Sequence, residues 1–334
     1  MIWAEFVVCA VLIITVSTVL SRYGDVLAEK TGLGQAWVGA ILLAGVTSLP
    51  ELVSGVSAVA WLGAPNLAAG SIMGSCLFNL ALIAFVDLAY QPGSILAKAQ
   101  EGHILSAGLG VLLLGLVGIG ALLGPGLNSF GILGLSFVSL AIVILYFVGA
   151  RLIARFEQRR LAEVLEQEAE VRHYDQISLA RAYSAFILSA VAVVGLGIWL
   201  ASVGDRLSAE TGLSRSFVGS LFVAVSTSLP EVATSLAAVR LGAIDLAISN
   251  ALGSNLFNVM LLAVFDLADG RSNFWAAVSS ANALSAVIAI MMTGVVVVSL
   301  IYRASPRTPY RITWDGFALM LMYLGAILAL YWAG

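Results

Sequence analysis

The stretch Thr-Ser-Leu-Pro-Glu occurs twice, at Thr47–Glu51 and at Thr227–Glu231, each time inside an otherwise apolar run. Glu51 and Glu231 are therefore carboxylates set where hydrocarbon surrounds the chain, and an ionisable residue in that setting marks a functional site. Within each copy Thr, Ser and Glu fall at i, i+1 and i+4, so on a helix their oxygens share one face. Pro50 cannot donate to the carbonyl of Val46 and its ring crowds that carbonyl, so backbone oxygens are expected to face a cavity there. Pro230 stands in the same relation to Ser226. The next apolar segment of each copy adds a second pair one turn apart, Ser75 with Asn79 and Ser254 with Asn258. This set of carboxylate, hydroxyl, amide and carbonyl oxygens, with no thiolate or imidazole, suits Ca²⁺ or Na⁺ rather than zinc or copper. Two carboxylates can neutralise one divalent ion, whereas burying both charged and unpaired costs several kcal/mol.

The elements that must hold these groups are membrane spans. The 334-residue chain is 60% hydrophobic and only 10% charged, with mean hydropathy +1.02, far from the soluble average. A helix needs about 20 apolar residues to cross the hydrocarbon. The pattern predicts ten such helices, at 2–20, 37–61, 66–88, 103–121, 129–150, 181–203, 217–240, 245–267, 277–300 and 314–332. The first run lacks a basic leader and a small-residue cleavage site and carries Glu5, so it is expected to be a span rather than a signal peptide. Cys9 and Cys76 both fall within spans and are expected to be small buried hydrophobes, not a disulfide.

The two halves repeat one design. YGDVLAEKTGLGQAWVGAILLAGVTSLPE around the first motif aligns with VGDRLSAETGLSRSFVGSLFVAVSTSLPE around the second. Beyond it, LGAPNLAAGSIMGSCLFNLALIAFVDLA aligns with LGAIDLAISNALGSNLFNVMLLAVFDLA, closing on Asp87 and Asp266. One copy follows the first predicted helix and the other follows the sixth, so an odd number of spans separates them. The copies then enter the membrane from opposite sides, an inverted-topology repeat whose substrate site belongs near the midplane.

The organisation expected is an all-α polytopic membrane protein: a first five-helix half over 1–150, a connector over 151–180 and a second five-helix half over 181–334. With the N-terminus outside, thirteen of the 16 Lys and Arg residues fall on the cytoplasmic side and only Arg206, Arg215 and Arg271 outside. The positive-inside rule then places both termini outside, in a plasma (inner) membrane. The charged connector carries Ile153, Phe156, Leu161, Val164 and Leu165 at roughly helical spacing and is expected to form an amphipathic cytoplasmic helix extending the fifth span. Gly108, Gly110, Gly115, Gly118 and Gly120 let the fourth span pack closely. His103 and His173 lie away from the acidic motifs, at surface or interface positions.

With T-S-L-P-E followed by G-S-x-L-F-N in both halves, the chain resembles the cation/calcium exchanger superfamily, and within it the sodium/calcium exchanger branch. The resemblance is carried by the repeats at 37–88 and 217–267. It implies an antiporter working by alternating access, with Ca²⁺ and Na⁺ as transported substrates. It also implies Glu51 and Glu231 as shared acidic ligands, with oxygens from Thr47, Ser48, Thr227, Ser228, Ser75, Asn79, Ser254 and Asn258. The carbonyls of Ala44 and Ala224 would line the outer sodium positions. In such exchangers the first and sixth helices slide against the rest. Both Asn79 and Asn258 are amides here, where several sodium/calcium exchangers have one Asp, which leaves two formal charges and bears on stoichiometry, electrogenicity and potassium dependence. Cys76 stands where the second copy has Asn255.

Other readings remain at this stage. A proton/calcium antiporter needs only the two glutamates, although that branch usually carries G-N-x-x-E in place of T-S-L-P-E. A cation channel fits a closed, many-ligand midplane site poorly. An intramembrane hydrolase would need a nucleophile or metal constellation, and neither H-E-x-x-H nor G-x-S-x-G is present. No resident cofactor, nucleic acid or protein partner is expected; the partners are inorganic cations and the bilayer.

Overall fold

The computed structural model describes residues 2–90, 93–127, 131–132, 135–167, 174, 176–210, 227–270, 274–303 and 313–333. Apart from one short hairpin, Gly131–Ile132 paired with Leu135–Ser136, these residues are helical where they are regular. The chain is an all-helical polytopic membrane protein. Seven helices are long and apolar enough to cross a membrane, and a bent pair makes an eighth.

Helix α1 (Ile2–Thr31) runs eleven residues beyond its predicted end. Beyond Leu20 the sequence is more polar, but Val26, Leu27 and Ala28 are buried in the core and carry the helix on. The predicted second span is broken. Its first part, α2 (Gln35–Thr47), passes through a widened π-helical turn at Val38–Leu43, a feature frequent at functional sites. Its second part, α3 (Leu49–Ala60), leaves at 44°, with Pro50 in its first turn, where a missing N–H costs nothing. Then come α4 (Pro65–Ala89), the single turn α5 (Ile95–Lys98) and α6 (Gly102–Leu127).

The prediction of helix from residue 129 is corrected here: Gly131–Ile132 and Leu135–Ser136 are short paired strands and α7 begins at Phe137, running to Gln167. Much of the connector therefore continues this helix. The second half follows as α8 (Leu179–Glu210), α9 (Leu229–Arg240), α10 (Ile244–Asp269), the turn α11 (Phe274–Ala277), α12 (Ala281–Tyr302) and α13 (Trp314–Ala333). The predicted start at 277 is also corrected, because α12 begins at Ala281 after the separate turn.

Helices α4 and α10 lie at the centre and pack on each other, and α3, α9, α6 and α12 surround them. Helix α1 pairs along its length with α8 at the periphery. Close approach at the centre depends on glycine. A Cβ on Gly253 of α10 would overlap the backbone of Ala40, and one on Gly39 of α2 would overlap Ser249 Oγ. The two closing aspartates prove to be anchors. Asp87 accepts from Ile95 N at 2.9 Å and from Thr313 Oγ1 at 2.8 Å, tying α4 to the start of α13. Asp266 accepts from Ser136 N at 2.9 Å, tying α10 to the start of α7.

Candidate functional site

The break between α2 and α3 sets the site's geometry. Ser48 sits at φ −89°, ψ 6°, and Ser228 at the start of α9 at φ −90°, ψ 2°. S-L-P-E reads locally as a capping box, yet neither serine caps its own helix. Ser48 Oγ instead donates to Glu231 Oε1 at 3.2 Å, across to the other repeat. Thr47 is also a neighbour of Glu231, and Thr227 is the corresponding neighbour of Glu51. Each carboxylate is therefore attended by hydroxyls of the opposite copy. Each also sits in the first turn of its helix, where the unpaired N–H groups and the dipole favour negative charge.

All the predicted site residues that fall within the described structure are buried. Ala44 forms the start of the last turn of α2, and its carbonyl accepts from Ser48 N at 3.1 Å and Thr47 Oγ1 at 3.3 Å. Ala224 lies outside the described residues. Asn79 of α4 meets Asn255 of α10 where those two helices pack, and Ser75, Ser254 and Asn258 lie buried on the same two helices. Helix α3 packs on α4 and α10, and α9 packs on the same two.

The donor set has an unusual property. Buried polar groups are nearly always hydrogen-bonded. Yet Glu51 Oε1 and Oε2, Glu231 Oε2, Ser75 Oγ, Asn79 Oδ1, Ser254 Oγ and both amide atoms of Asn258 lack a partner within the protein. They make up eight of the thirteen such atoms among the described residues, and all but one are oxygens. Ca²⁺ takes 6–8 oxygen ligands, so the chemistry of the set fits a hard cation. No cluster of three or more His, Cys, Asp or Glu residues exists among the described residues, which leaves the two glutamates as the carboxylates of this set.

One participant was missed. Asn255 accepts from Asn79 Nδ2 at 3.2 Å and donates through its own Nδ2 to the carbonyl of Cys76 at 3.1 Å. The only signal in the sequence is that Asn255 breaks the match between the repeats at Cys76. Both cysteines are free and buried. His103 is more deeply placed than expected: it is fully buried, with Nε2 2.8 Å from Asp245 Oδ1 at the start of α10. His173 lies outside the described residues. A cavity of about 660 Å³ opens elsewhere, between Asp25, Glu29, Gln35, Gln100, Arg160 and Tyr174, and contains none of the predicted site residues.

Comparison with known proteins agrees with this architecture. The sodium/calcium exchanger protein family model matches residues 1–161 and 181–332. Inner membrane protein YrbG of Escherichia coli is 29% identical over 244 residues, covering 71% of this chain and 70% of that protein. The Ca²⁺/H⁺ antiporter ChaA of Bacillus subtilis is 25% identical over 271 residues, covering 78% and 75%. A structure of the sodium-calcium exchanger NCX_Mj superposes with a TM-score of 0.72 over 99% of this chain and 100% of that one, at 18% identity, a likeness of fold. With the family model spanning nearly the whole chain, this protein belongs to the sodium/calcium exchanger protein family and is a multi-pass membrane antiporter of cations.

Proposed function

We propose that the protein exchanges Ca²⁺ for Na⁺ by alternating access, with Glu51 and Glu231 as the shared acidic ligands. The observation that carries this reading is that the buried oxygens with no partner in the protein, among the described residues, include both glutamates and the matching serines and asparagines of both repeats. Thr47, Ser48, Thr227 and Ser228 supply hydroxyls or carbonyls, Ser75, Asn79, Ser254 and Asn258 complete the cluster, and the carbonyls of Ala44 and Ala224 line the flanking sodium positions. One dehydrated Ca²⁺ or several Na⁺ compete for these oxygens, and the protein changes state only when the carboxylates are neutralised.

The same reading takes the chain as ten spans in two inverted five-helix repeats, with both termini outside. The matching anchors of Asp87 to α13 and Asp266 to α7, each the last long helix of its half, support that arrangement. The 151–180 connector is then cytoplasmic.

The test is radioactive calcium uptake into proteoliposomes preloaded with Na⁺, beside vesicles preloaded only with protons at matched potential. Uptake driven by the Na⁺ gradient, and lost in Glu51→Gln and in Glu231→Gln while both variants remain folded, is the expected outcome. Near-normal exchange in both variants sinks the site assignment. Proton coupling is the second reading, favoured by the likeness to ChaA and by the fact that protons need only two carboxylates. Uptake driven by the proton gradient alone decides for it.

A further inference from the structure

The two halves offer the same ligands but do not hold them in the same way. On α4, Asn79 is locked. A backbone carbonyl can only accept, so the contact with Cys76 O fixes Nδ2 of Asn255 as its donor. Oδ1 of Asn255 then faces Asn79 and accepts from its Nδ2. That orients the Asn79 amide with Oδ1 outward, and this oxygen is one of the buried atoms with no partner in the protein. The chain Cys76 carbonyl, Asn255, Asn79 thus presets one oxygen.

Repeat equivalence sets Cys76 against Asn258 as Asn255 is set against Asn79. A thiol is a weak donor and a weak acceptor, so nothing there can fix an amide. In keeping with this, both Nδ2 and Oδ1 of Asn258 lack a partner, although the residue is fully buried.

The geometry points to Asn255 as a positioning residue for cation binding, and to Cys76 as the substitution that leaves the second half unlocked. On the exchange reading above, the Asn79 oxygen is a rigid ligand that favours an ion of fixed size, and Asn258 is an adjustable one. The rigid ligand carries preference for a dehydrated divalent ion such as Ca²⁺. The adjustable ligand lets the same site rearrange around monovalent ions. Residues that orient a metal ligand typically change affinity by about 10- to 100-fold when removed.

Four variants test this in proteoliposomes: Asn255→Cys, the swap Cys76→Asn with Asn255→Cys, Asn79→Ala, and Asn79→Ala with Asn255→Cys. Asn255→Cys should raise the half-saturating Ca²⁺ concentration about tenfold and leave the maximal rate nearly unchanged. The swap moves the lock to the other half and should restore most of the affinity, which replacement of a merely space-filling side chain would not do. Asn79→Ala with Asn255→Cys should bind no worse than Asn79→Ala alone, because Asn255 acts through Asn79.

Unchanged half-saturation in Asn255→Cys overturns the proposal, as does a folded swap variant with no recovery. If the swap does not fold, the Asn79 pair decides, and additive losses there overturn the proposal. Thermal stabilisation of the purified variants by Ca²⁺ reads the same order without transport. Absence of sodium-driven uptake in the unmodified protein would therefore count against the exchange reading alone.

Discussion

Helices α4 and α10 are 72% buried across their apolar windows, whereas α1 is 22% and α8 33% buried across theirs. The central pair belongs to one continuous hydrophobic cluster that includes Ile72, Leu80, Leu256 and Phe265. Leu20, Val26 and Leu27 of α1 and Phe186 and Val193 of α8 join that cluster, while Cys9, Ile13 and Leu200 form a small separate one with Ala233 of α9. Lipid is as apolar as leucine, so nothing but packing and polar contacts holds helices together in a bilayer. Dense interdigitation therefore fixes the central pair, whereas α1 and α8 turn more of their surface away from the rest of the protein. The polar ties follow the same division. At the centre Asn79, Asn255 and Cys76 are linked in the dry interior, while α1 and α8 are joined by Glu5, which accepts from Arg206 Nη2 at 2.6 Å and Trp199 Nε1 at 2.8 Å at an accessible end.

Substitutions can break this contrast, beginning with the largest effect. Gly253→Val drives a branched side chain into the backbone of Ala40, which cannot rotate away. The cost should reach the top of the roughly 1–3 kcal/mol typical of overpacking, read as loss of a monodisperse peak in detergent. Phe265→Ala empties a fully buried position packed edge-on against Phe274. In water such a truncation costs about 3–5 kcal/mol, but the transfer part largely vanishes when the unfolded chain stays in lipid, so about 2 kcal/mol is expected by thermal unfolding. Glu5→Gln at the peripheral pair should lower the unfolding temperature less than either, and raising the salt concentration should erase the difference, as for any exposed ion pair.

The smallest effect is confined to alkaline pH. Burial, with the hydrogen bond to Asp25, pushes the Tyr174 phenol up to about 12. Its folded value lies above its unfolded one, so ionisation opposes folding and stability falls as pH rises from about 10 through about 12. Tyr174→Phe should flatten that part of the stability profile and leave neutral pH little changed; a profile identical to the unmodified protein's would count against the contact.

Much of this architecture was legible in the residues. Long apolar runs announce spans because hydrocarbon demands them, and helices stand at the predicted segments that the described residues cover. The ends were less legible: α1 continues past Leu20 and α7 past residue 150, in sequence polar enough to leave the membrane and still helical. The paired strands at 131–132 and 135–136 were hidden because their apolar residues fit a span equally well. At the site, residue types, spacing and the proline break pointed to a candidate set of oxygens, and the carbonyls of Ala44 and Ala224 came only from the resemblance. What spacing could not give was pairing. S-L-P-E looks like a local cap, and only the folded arrangement sends Ser48 across to Glu231. Asn255 was noticed as an unmatched letter, and its role emerges only when α10 is seated against α4.

The unequal residues at 76 and 255 also bear on ancestry. An assembly of two identical half-length chains would obey a twofold axis, and every contact across it would be made twice. Such a dimer cannot carry cysteine at one equivalent position and asparagine at the other; a mutation in one gene alters both sides together. Joining the halves in a single chain removes that constraint. A single chain that carries both halves can keep Cys76 on one side and Asn255 on the other, as two identical chains cannot.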